Sequence, residues 1–449
     1  MTKIIEKKLV EYPYLPEPLR IITFDNGHKL VLAKKESPMV NISTWVKTGS
    51  INENADNNGV SHFLEHLMFK GTHKYKAGEF DCTLERRGGI INAATWKDYT
   101  FYYVTIPKKH LELALHMHAD MMVDPILPDD EIGQTFNPNG AVPKDGRERC
   151  VVIEEIRMGQ DRSWRKVYDA LNDKMYEKHP YKRNVIGTKE IIAKIPRDDI
   201  MAYYQNFYSP KNMTTIIVGQ FNDDEIINKV MEEFKFQNNL PKKLLSSDER
   251  TIETLIKNPC VLEDTAEIQT GYIMFGFLAD RARNLKETIA LDLISVIFGE
   301  GKSSRLNRKF IEEPEKPHFY DISTCHYQFK DGDNFFIEAN FNPSFKDDVV
   351  NEIKNELDLL PEISEDELNK AKKRLKVNFA ESAETVSEIA DTIGHYVTVL
   401  EDVSLANEYL KALNEIDVLY LKGVVQKYLS KNQCSISILM PKSMQSGAK

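Results

Sequence analysis

The sequence lacks any hydrophobic run that approaches the roughly 18 apolar residues of a membrane-spanning helix. It also lacks an excess of basic residues, because 59 Lys and Arg stand against 69 Asp and Glu, a formal net charge of −10. Binding to a nucleic acid backbone needs a basic surface, so this balance argues against nucleic acid as the main partner. We therefore expect neither a membrane span nor a nucleic acid partner.

Cysteine is scarce and has no paired spacing. An odd number of cysteines cannot form a complete disulfide framework, and no C-x-x-C sequence is present. The five cysteines are Cys82, Cys150, Cys260, Cys325 and Cys434. Free thiols of this kind are typical of a reducing compartment. The first residues, MTKIIEKKLVEYPYLPEP, contain no continuous apolar segment of a signal peptide, so we expect a cytoplasmic protein.

The composition of the sequence is typical of a globular protein, and its order of strand and helix patterns indicates two similar parts. Hydrophobic residues make up 41% and charged residues 29% of the 449 positions. Strand and helix patterns alternate up to residue 235, and their order repeats in outline from residue 260. The segment between them, 236–259, is polar and is the best candidate for a linker. The sequence thus predicts an α+β fold with two related halves, 1–235 and 260–449.

The most specific local motif is His62-Phe63-Leu64-Glu65-His66. On a helix that advances about 100° per residue, His66 lies about 40° from His62, and Glu65 lies about 60° away on the other side. Two imidazoles one turn apart can bind one metal ion, and a carboxylate beside a metal can activate water for hydrolysis. The pattern H-x-x-E-H is the inverse of the H-E-x-x-H motif of zinc peptidases. By itself, the motif also fits a helix with two surface histidines.

A second helical pattern reduces the weight of that alternative. Glu148 and Glu155 are seven residues apart and fall on one face, with Val151 and Val152 between them. Two carboxylates on an apolar stripe are costly to bury unless a cation pairs with them. Catalytic zinc sites commonly use three protein ligands, so one of these acids would complete a site with the two histidines. A solvated acidic helix face is the other interpretation.

Five stretches of the chain, taken together, resemble the pitrilysin-like M16 family of zinc metallopeptidases. The similarity is to the two-domain M16 members, which include the catalytic subunit of mitochondrial processing peptidase and its bacterial relatives. These stretches are GVSHFLEHLMFKGT (59–72), GGIINAATWKDYTFYY (88–103), ERCVVIEEI (148–156), HPYKRNVIGT (179–188) and YSPKNMTTIIVG (208–219). GKSSRL (301–306) is a weaker match.

The resemblance implies a fold and an assignment of the two halves. Each half would be a mostly antiparallel β-sheet with helices packed on one face. Residues 1–235 would form the zinc-bearing catalytic domain, and residues 260–449 a structurally related domain without zinc.

The resemblance also implies roles for individual residues. His62, His66 and Glu155 would be ligands of Zn2+, and Glu65 would be the general base that activates water. Glu148 would be a second catalytic acid that supports the site from behind, as a carboxylate does when it orients a histidine ligand.

Asn92 and Ala93 would lie in an edge strand that pairs with an extended substrate. In such an arrangement the protein recognises mainly the substrate backbone.

The chain departs from the family pattern before the second acidic pair. The interval between His66 and Glu155 is longer than is usual, and the segment 134–147 looks like an insertion that explains the excess. This segment would lie close to the entrance of the site. The insertion makes Glu154 a rival to Glu155 as the third ligand, and we prefer Glu155 because it shares a helix face with Glu148.

A second departure concerns an Arg and a Tyr, seven residues apart, that many family members carry after the SSRL stretch. Here Ile311 stands where the Arg is expected, and Tyr320 follows at an altered spacing. We expect another chain to supply the missing group. A homologous subunit without zinc, in a heterodimer, is the leading hypothesis, and a homodimer that works without the pair is the other.

These observations predict a zinc-dependent endopeptidase or oligopeptidase that hydrolyses peptide bonds in extended peptides or small unfolded polypeptides. The alternative is a non-catalytic structural or assembly subunit of an M16-type complex. A third possibility is a zinc enzyme that cleaves another type of bond.

Overall fold

The computed structural model of the chain describes residues 2–145, 147–236 and 250–443, and within them two β-sheets are formed. The first sheet contains β1 (Ile4–Val10), β2 (Leu19–Phe24), β3 (Lys29–Lys34), β4 (Met39–Val46), β5 (Ile90–Thr95), β6 (Thr100–Pro107) and β7 (Met213–Gly219). The second sheet contains β8 (Val261–Ala266), β9 (Gly271–Leu278), β10 (Phe319–Tyr327), β11 (Asn334–Phe341) and β12 (Ser435–Pro441).

The helices of the described residues fall before, between and after these strands. Those in the first part of the chain are α1 (Val60–Met68), α2 (Glu79–Glu85), α3 (Leu111–Val123), α4 (Asp129–Ile132), α5 (Glu148–Gln160), α6 (Ser163–Met175), α7 (Lys189–Ile192), α8 (Arg197–Phe207) and α9 (Asp223–Glu233). Those in the second part are α10 (Leu285–Phe298), α11 (Arg305–Asn307), α12 (Lys346–Leu359), α13 (Glu365–Glu381), α14 (Val386–His395), α15 (Leu405–Glu415) and α16 (Val418–Tyr428). None of these helices combines the length and apolar content that crossing a membrane requires.

Both sheets are mostly antiparallel, as the resemblance implies. The strand order is β1-β2-β3-β7-β4-β6-β5 in the first sheet and β10-β11-β9-β12-β8 in the second. Each has one parallel pairing, β3 with β7 and β12 with β8. The predicted α+β fold with two related halves is therefore confirmed.

The two sheets belong to two compact units that do not follow the chain continuously. So far as their residues are described, 1–156, 183–245 and 380–407 form the first unit, and 157–182, 246–379 and 408–449 form the second. The predicted continuous domains 1–235 and 260–449 differ from these units in two segments, 157–182 and 380–407. Of the predicted linker 236–259, residues 237–249 lie outside the described residues.

Each exchanged segment contributes a helix to the sheet of the other part of the chain. In the first unit, β4 is buried on both faces: Thr44 bonds to His118 on α3, and Trp45 packs against Gly394 on α14. In the second unit, Gly276 on β9 leaves room for Met175 on α6. Each sheet thus carries one further helix on the face opposite its main helical layer. Sequence periodicity detects an amphipathic helix but not which sheet its apolar face covers.

Candidate metal centre

The helix with the H-x-x-E-H motif, α1, is fixed at its first turn by a buried carboxylate. Glu53 accepts hydrogen bonds from the backbone N–H of Gly59 at 2.8 Å and of Ser61 at 2.9 Å, and also from the Ser61 hydroxyl group. These contacts satisfy N–H groups that a helix leaves without partners at its start. The apolar side chains of α1 point into the core, which leaves the chemistry-bearing side chains partly exposed on one side. Sequence reasoning missed Glu53 because no capping signal stands directly before the helix.

The helix that carries the two acids, α5, is anchored beside α1 by Arg149. This arginine is fully buried and donates to the backbone carbonyl groups of Gly133 at 3.2 Å, Ile195 at 2.8 Å and Ile192. Its guanidinium lies 5.3 Å from the ring centre of Phe63, the neighbour of the first motif histidine. Burial lowers the pKa of Arg149 to about 10. The buried arginine therefore ties α5 to α1, a role that sequence analysis did not predict.

The two helices bring three potential metal ligands together. His62 Nε2 lies 3.7 Å and His66 Nε2 lies 3.5 Å from the same carboxylate oxygen of Glu155. One donor atom from each residue lies within 4.8 Å of the others. Tetrahedral ligands at about 2.1 Å from zinc are about 3.4 Å apart, so the two distances from Glu155 to the histidines are close to those expected between zinc ligands. Two imidazole nitrogens and one carboxylate oxygen are a donor set that zinc accepts, so the residues fit the metal.

The structure distinguishes the two acids that competed for the third position. Glu155 is half-buried and shares the site with both histidines, whereas Glu154 is exposed and lies outside the ligand group. Helix geometry explains the difference, because adjacent residues point about 100° apart.

Glu148 reaches the centre indirectly, through His66. Its Oε2 accepts a hydrogen bond from His66 Nδ1 at 3.0 Å, and its Oε1 pairs with Lys70 Nζ at 2.6 Å. Because Glu148 accepts the proton of Nδ1, Nε2, which is directed at Glu155, is the nitrogen of His66 that a metal would bind. Sequence reasoning missed Lys70, since it lies just beyond the end of α1.

The carboxylates around His66 favour a positive charge at the site. Burial lowers the pKa of His66, but its hydrogen bonds to Glu148 and Glu155 outweigh burial and raise it to about 9. Burial raises the pKa of Glu148, but the hydrogen bonds from His66 and Lys70 together lower it by more. The net shift of this pKa is therefore downward. The carboxylates thus stabilise a positive charge at this position, and a divalent metal can supply that charge in place of a proton.

Glu65 lies beside the ligands and has a different environment. Its Oε2 accepts a hydrogen bond from the Thr95 hydroxyl group at 2.5 Å. Burial raises the pKa of the Glu65 carboxyl, while Thr95 and His66 act against that rise. A raised pKa makes this carboxylate a stronger base than an ordinary glutamate, which suits it to accept a proton. Thr95 is a further residue that sequence analysis missed.

The strand predicted to receive substrate, β5, is the outer strand of the first sheet. Asn92 and Ala93 lie in its middle, paired with Tyr103 and Tyr102 of β6. The side-chain oxygen of Asn92 accepts the backbone N–H of Ala93 at 2.9 Å. Both residues thus lie on a strand whose second edge has no partner strand among the described residues, and they are close in the chain to Thr95.

The two departures from the family pattern, at the segment 134–147 and at the expected Arg and Tyr, lie outside the ligand group. Ile311 lies in a π-helical turn, Arg308–Glu312, and packs against the core of the second unit. Tyr320 lies on β10 and is 54% exposed. The described residues of the segment 134–147 form neither helix nor strand, and Phe136 is tied to the Ala193 carbonyl group at 3.0 Å.

Comparison with known proteins supplies a classification. The family described as "Insulinase (Peptidase family M16)" matches residues 29–189, and the one described as "Peptidase M16 inactive domain" matches residues 194–375. The zinc protease PqqE of Helicobacter pylori is 29% identical over 436 residues, which cover 95% of this chain and 94% of that protein. A probable mitochondrial-processing peptidase subunit beta of Arabidopsis thaliana is 23% identical over 94% of this chain and 78% of that protein.

Solved structures agree with this classification. A protease from Helicobacter pylori superposes with a TM-score of 0.84 at 25% identity and covers 97% of this chain and 100% of its own. A putative M16-like peptidase from Alicyclobacillus acidocaldarius shares the fold, with a TM-score of 0.80 at 19% identity, covering 96% and 100%. The fold is therefore that of the M16-like peptidases. The chain belongs to the M16 peptidase family, and its relatives in that family are named zinc proteases.

Proposed function

We propose that this chain is a zinc-dependent endopeptidase or oligopeptidase that hydrolyses extended peptides or small unfolded polypeptides. The observation that carries the proposal is the convergence of His62, His66 and Glu155 beside the partly buried carboxyl group of Glu65. A zinc ligand set next to a general base is the arrangement that hydrolysis by activated water requires. The family relationship supports the same class of reaction.

In this proposal, His62, His66 and Glu155 hold the zinc ion. When bound, zinc lowers the pKa of a water molecule and polarises the scissile carbonyl group. Glu148 keeps His66 in the tautomer that presents Nε2 to the metal, and Lys70 keeps Glu148 in place. Glu148 therefore acts through His66 and is not the base itself.

Glu65 moves the proton. It accepts one from the attacking water and passes it to the amine that leaves when the peptide bond breaks. Its raised pKa supports the first step, because a stronger base takes the proton of water more readily.

The substrate would pair with the free edge of β5 near Asn92 and Ala93. An added strand is held mainly by backbone hydrogen bonds, so this mode favours extended chains and tolerates many side chains. The Ala93 N–H, which now bonds to the Asn92 side chain, would bond to a substrate carbonyl group instead.

We also propose that a second subunit completes the active enzyme. Ile311 presents an apolar side chain to the core where many relatives are expected to carry an arginine. A homologous subunit without zinc would supply the missing group in a heterodimer, and a homodimer that works without the pair is the simpler possibility. The same apolar residue favours the second candidate function, a non-catalytic structural or assembly subunit.

The test is cleavage of a mixed peptide library, analysed by mass spectrometry, by the zinc-loaded chain and by its Glu65→Gln variant. We expect the wild type to cleave and the variant to lose about 10²–10⁴-fold in rate while retaining zinc, because one general base contributes about that much. If neither protein cleaves, the assay is repeated with a co-purified homologous subunit. Absence of cleavage by that complex would refute the enzyme and support the structural subunit. Equal cleavage by wild type and variant would refute the role of Glu65.

A further inference from the structure

The hydroxyl group of Thr95 joins the proposed base to the strand on which the proposed substrate docks. Thr95 is the last residue of β5, and its Oγ1 donates to Glu65 Oε2 at 2.5 Å. This contact is a hydrogen bond from a neutral hydroxyl group to the carboxylate of the proposed base. Side chains alternate along a strand, so Thr95 shares its face with Ile91 and Ala93, which pack against the core of the first unit.

Thr95 is in turn held by the neighbouring strand. Thr100 on β6 lies directly opposite Thr95, and the two hydroxyl oxygens are 3.4 Å apart. Thr100 also donates to the backbone carbonyl group of Thr48 at 2.9 Å, a shorter contact that takes its single proton. The proton of Thr95 is directed at Glu65, because an ionised carboxylate can only accept. Because threonine is stiff at χ1, the strand position fixes the position of the hydroxyl group.

We propose that Thr95 is a positioning residue that couples docking of a peptide on β5 to the orientation of Glu65. This inference rests on the proposed peptidase function. With Oε2 held by Thr95, Glu65 keeps Oε1 for the proton of water. Asn92 and Ala93 are on the same strand, so a peptide paired along β5 restricts the strand and, through Thr95, the carboxylate. The base is then best oriented when an extended substrate is in place, which favours longer peptides over short ones.

The proposal predicts a specific kinetic signature. In Thr95→Val the side-chain shape is kept and the hydroxyl group is lost, so we expect kcat to fall about 10-fold through misorientation of the base, with KM unchanged. Thr95→Ser restores the hydroxyl group and should recover most of the rate. A peptide long enough to pair along the six residues of β5 should lose more of its kcat than a short peptide.

Thr23→Val is the matched control. The Thr23 hydroxyl group donates to Glu6 Oε2 at 3.2 Å, the same kind of hydrogen bond between β2 and β1, at the opposite edge of the same sheet. This variant should leave kcat unchanged for both peptides. The experiment measures kcat and KM of the four proteins on a long and a short peptide. It also measures zinc affinity by competition with a chromophoric chelator, and the thermal unfolding midpoint.

The outcomes separate this inference from the proposed function. An inactive wild type, alone and with its co-purified subunit, refutes the peptidase itself. An active wild type with unchanged kcat in Thr95→Val overturns only the role of Thr95. Loss of zinc affinity or folding in Thr95→Val that Thr95→Ser does not restore also overturns it, since a merely structural residue would behave in that way. Recovery by serine with unchanged zinc affinity supports the proposal.

Discussion

The substitution Glu148→Gln tests how far a residue that does not touch the metal controls metal binding. Each oxygen of Glu148 accepts from one donor, His66 Nδ1 on one side and Lys70 Nζ on the other. Glutamine keeps the shape but has one acceptor oxygen and one NH2 group, so it must turn a donor toward one of these two donors. Either the imidazole loses its acceptor or the lysine loses its partner.

The expected magnitude follows from this loss of orientation. Partners that orient a ligand commonly change metal affinity by about 10–100-fold, which corresponds to about 1.4–2.7 kcal/mol of binding free energy. Glu148 is buried and accepts two charge-assisted bonds, so we expect a loss within that range.

The assay is zinc dissociation measured by competition with a chromophoric chelator at pH 7.5, and it needs a control for charge. Glu154→Gln removes the same charge from the same helix at an exposed position outside the ligand group. We expect Glu154→Gln to bind zinc like the wild type. Equal zinc affinity of Glu148→Gln and Glu154→Gln would refute the reasoning, because only a long-range charge effect would then remain.

Two further predictions concern stability, measured by urea unfolding followed by circular dichroism. Glu367 accepts two hydrogen bonds from Arg305, at 2.6 and 2.8 Å, which lower its pKa from 4.5 to about 2. Because the folded pKa lies below the unfolded one, this stabilisation is complete above about pH 4.5 and lost toward pH 2. Glu367→Gln should therefore cost about 2 kcal/mol at pH 7 and little at pH 2, and a cost independent of pH would contradict this. Gly394→Ala places a methyl group against the Trp45 indole and should lower the free energy of unfolding by about 1–3 kcal/mol. As the control, Gly423→Ala on α16 places its methyl group in open space and should not destabilise the protein. Equal effects of the two substitutions would contradict the packing of α14.

Local pattern was enough for the parts of the site that lie within one helix. His62, Glu65 and His66 fall within two turns, and Glu148 and Glu155 within another short stretch, so helical geometry alone places them on shared faces. The known chemistry of zinc then restricts the reactions that such a set of side chains can support. The sequence also contained the motifs that identify the family and the α+β class.

The tertiary structure decided which of these faces meet and what holds them together. Four positioning residues were missed by sequence analysis, and all of them except Glu53, which bonds to nearby Gly59 and Ser61, act between segments that are far apart in the chain. They are Glu53 at the start of α1, Arg149 between α5 and α1, Lys70 behind Glu148, and Thr95 behind Glu65. Their side chains carry no periodic signal, because each is defined by a partner and not by its neighbours in sequence.

The packing of α6 and α14 on the sheet formed by the other half of the chain has the same physical origin. The amphipathic pattern of α6 and α14 shows that each has an apolar face to bury. The hydrophobic effect is non-directional, however, so the pattern does not predict which surface covers that face. The small residues at Gly276 and Gly394 select those surfaces by leaving room for Met175 and Trp45. Sequence determines that a helix must be covered, and only the assembled sheets determine where.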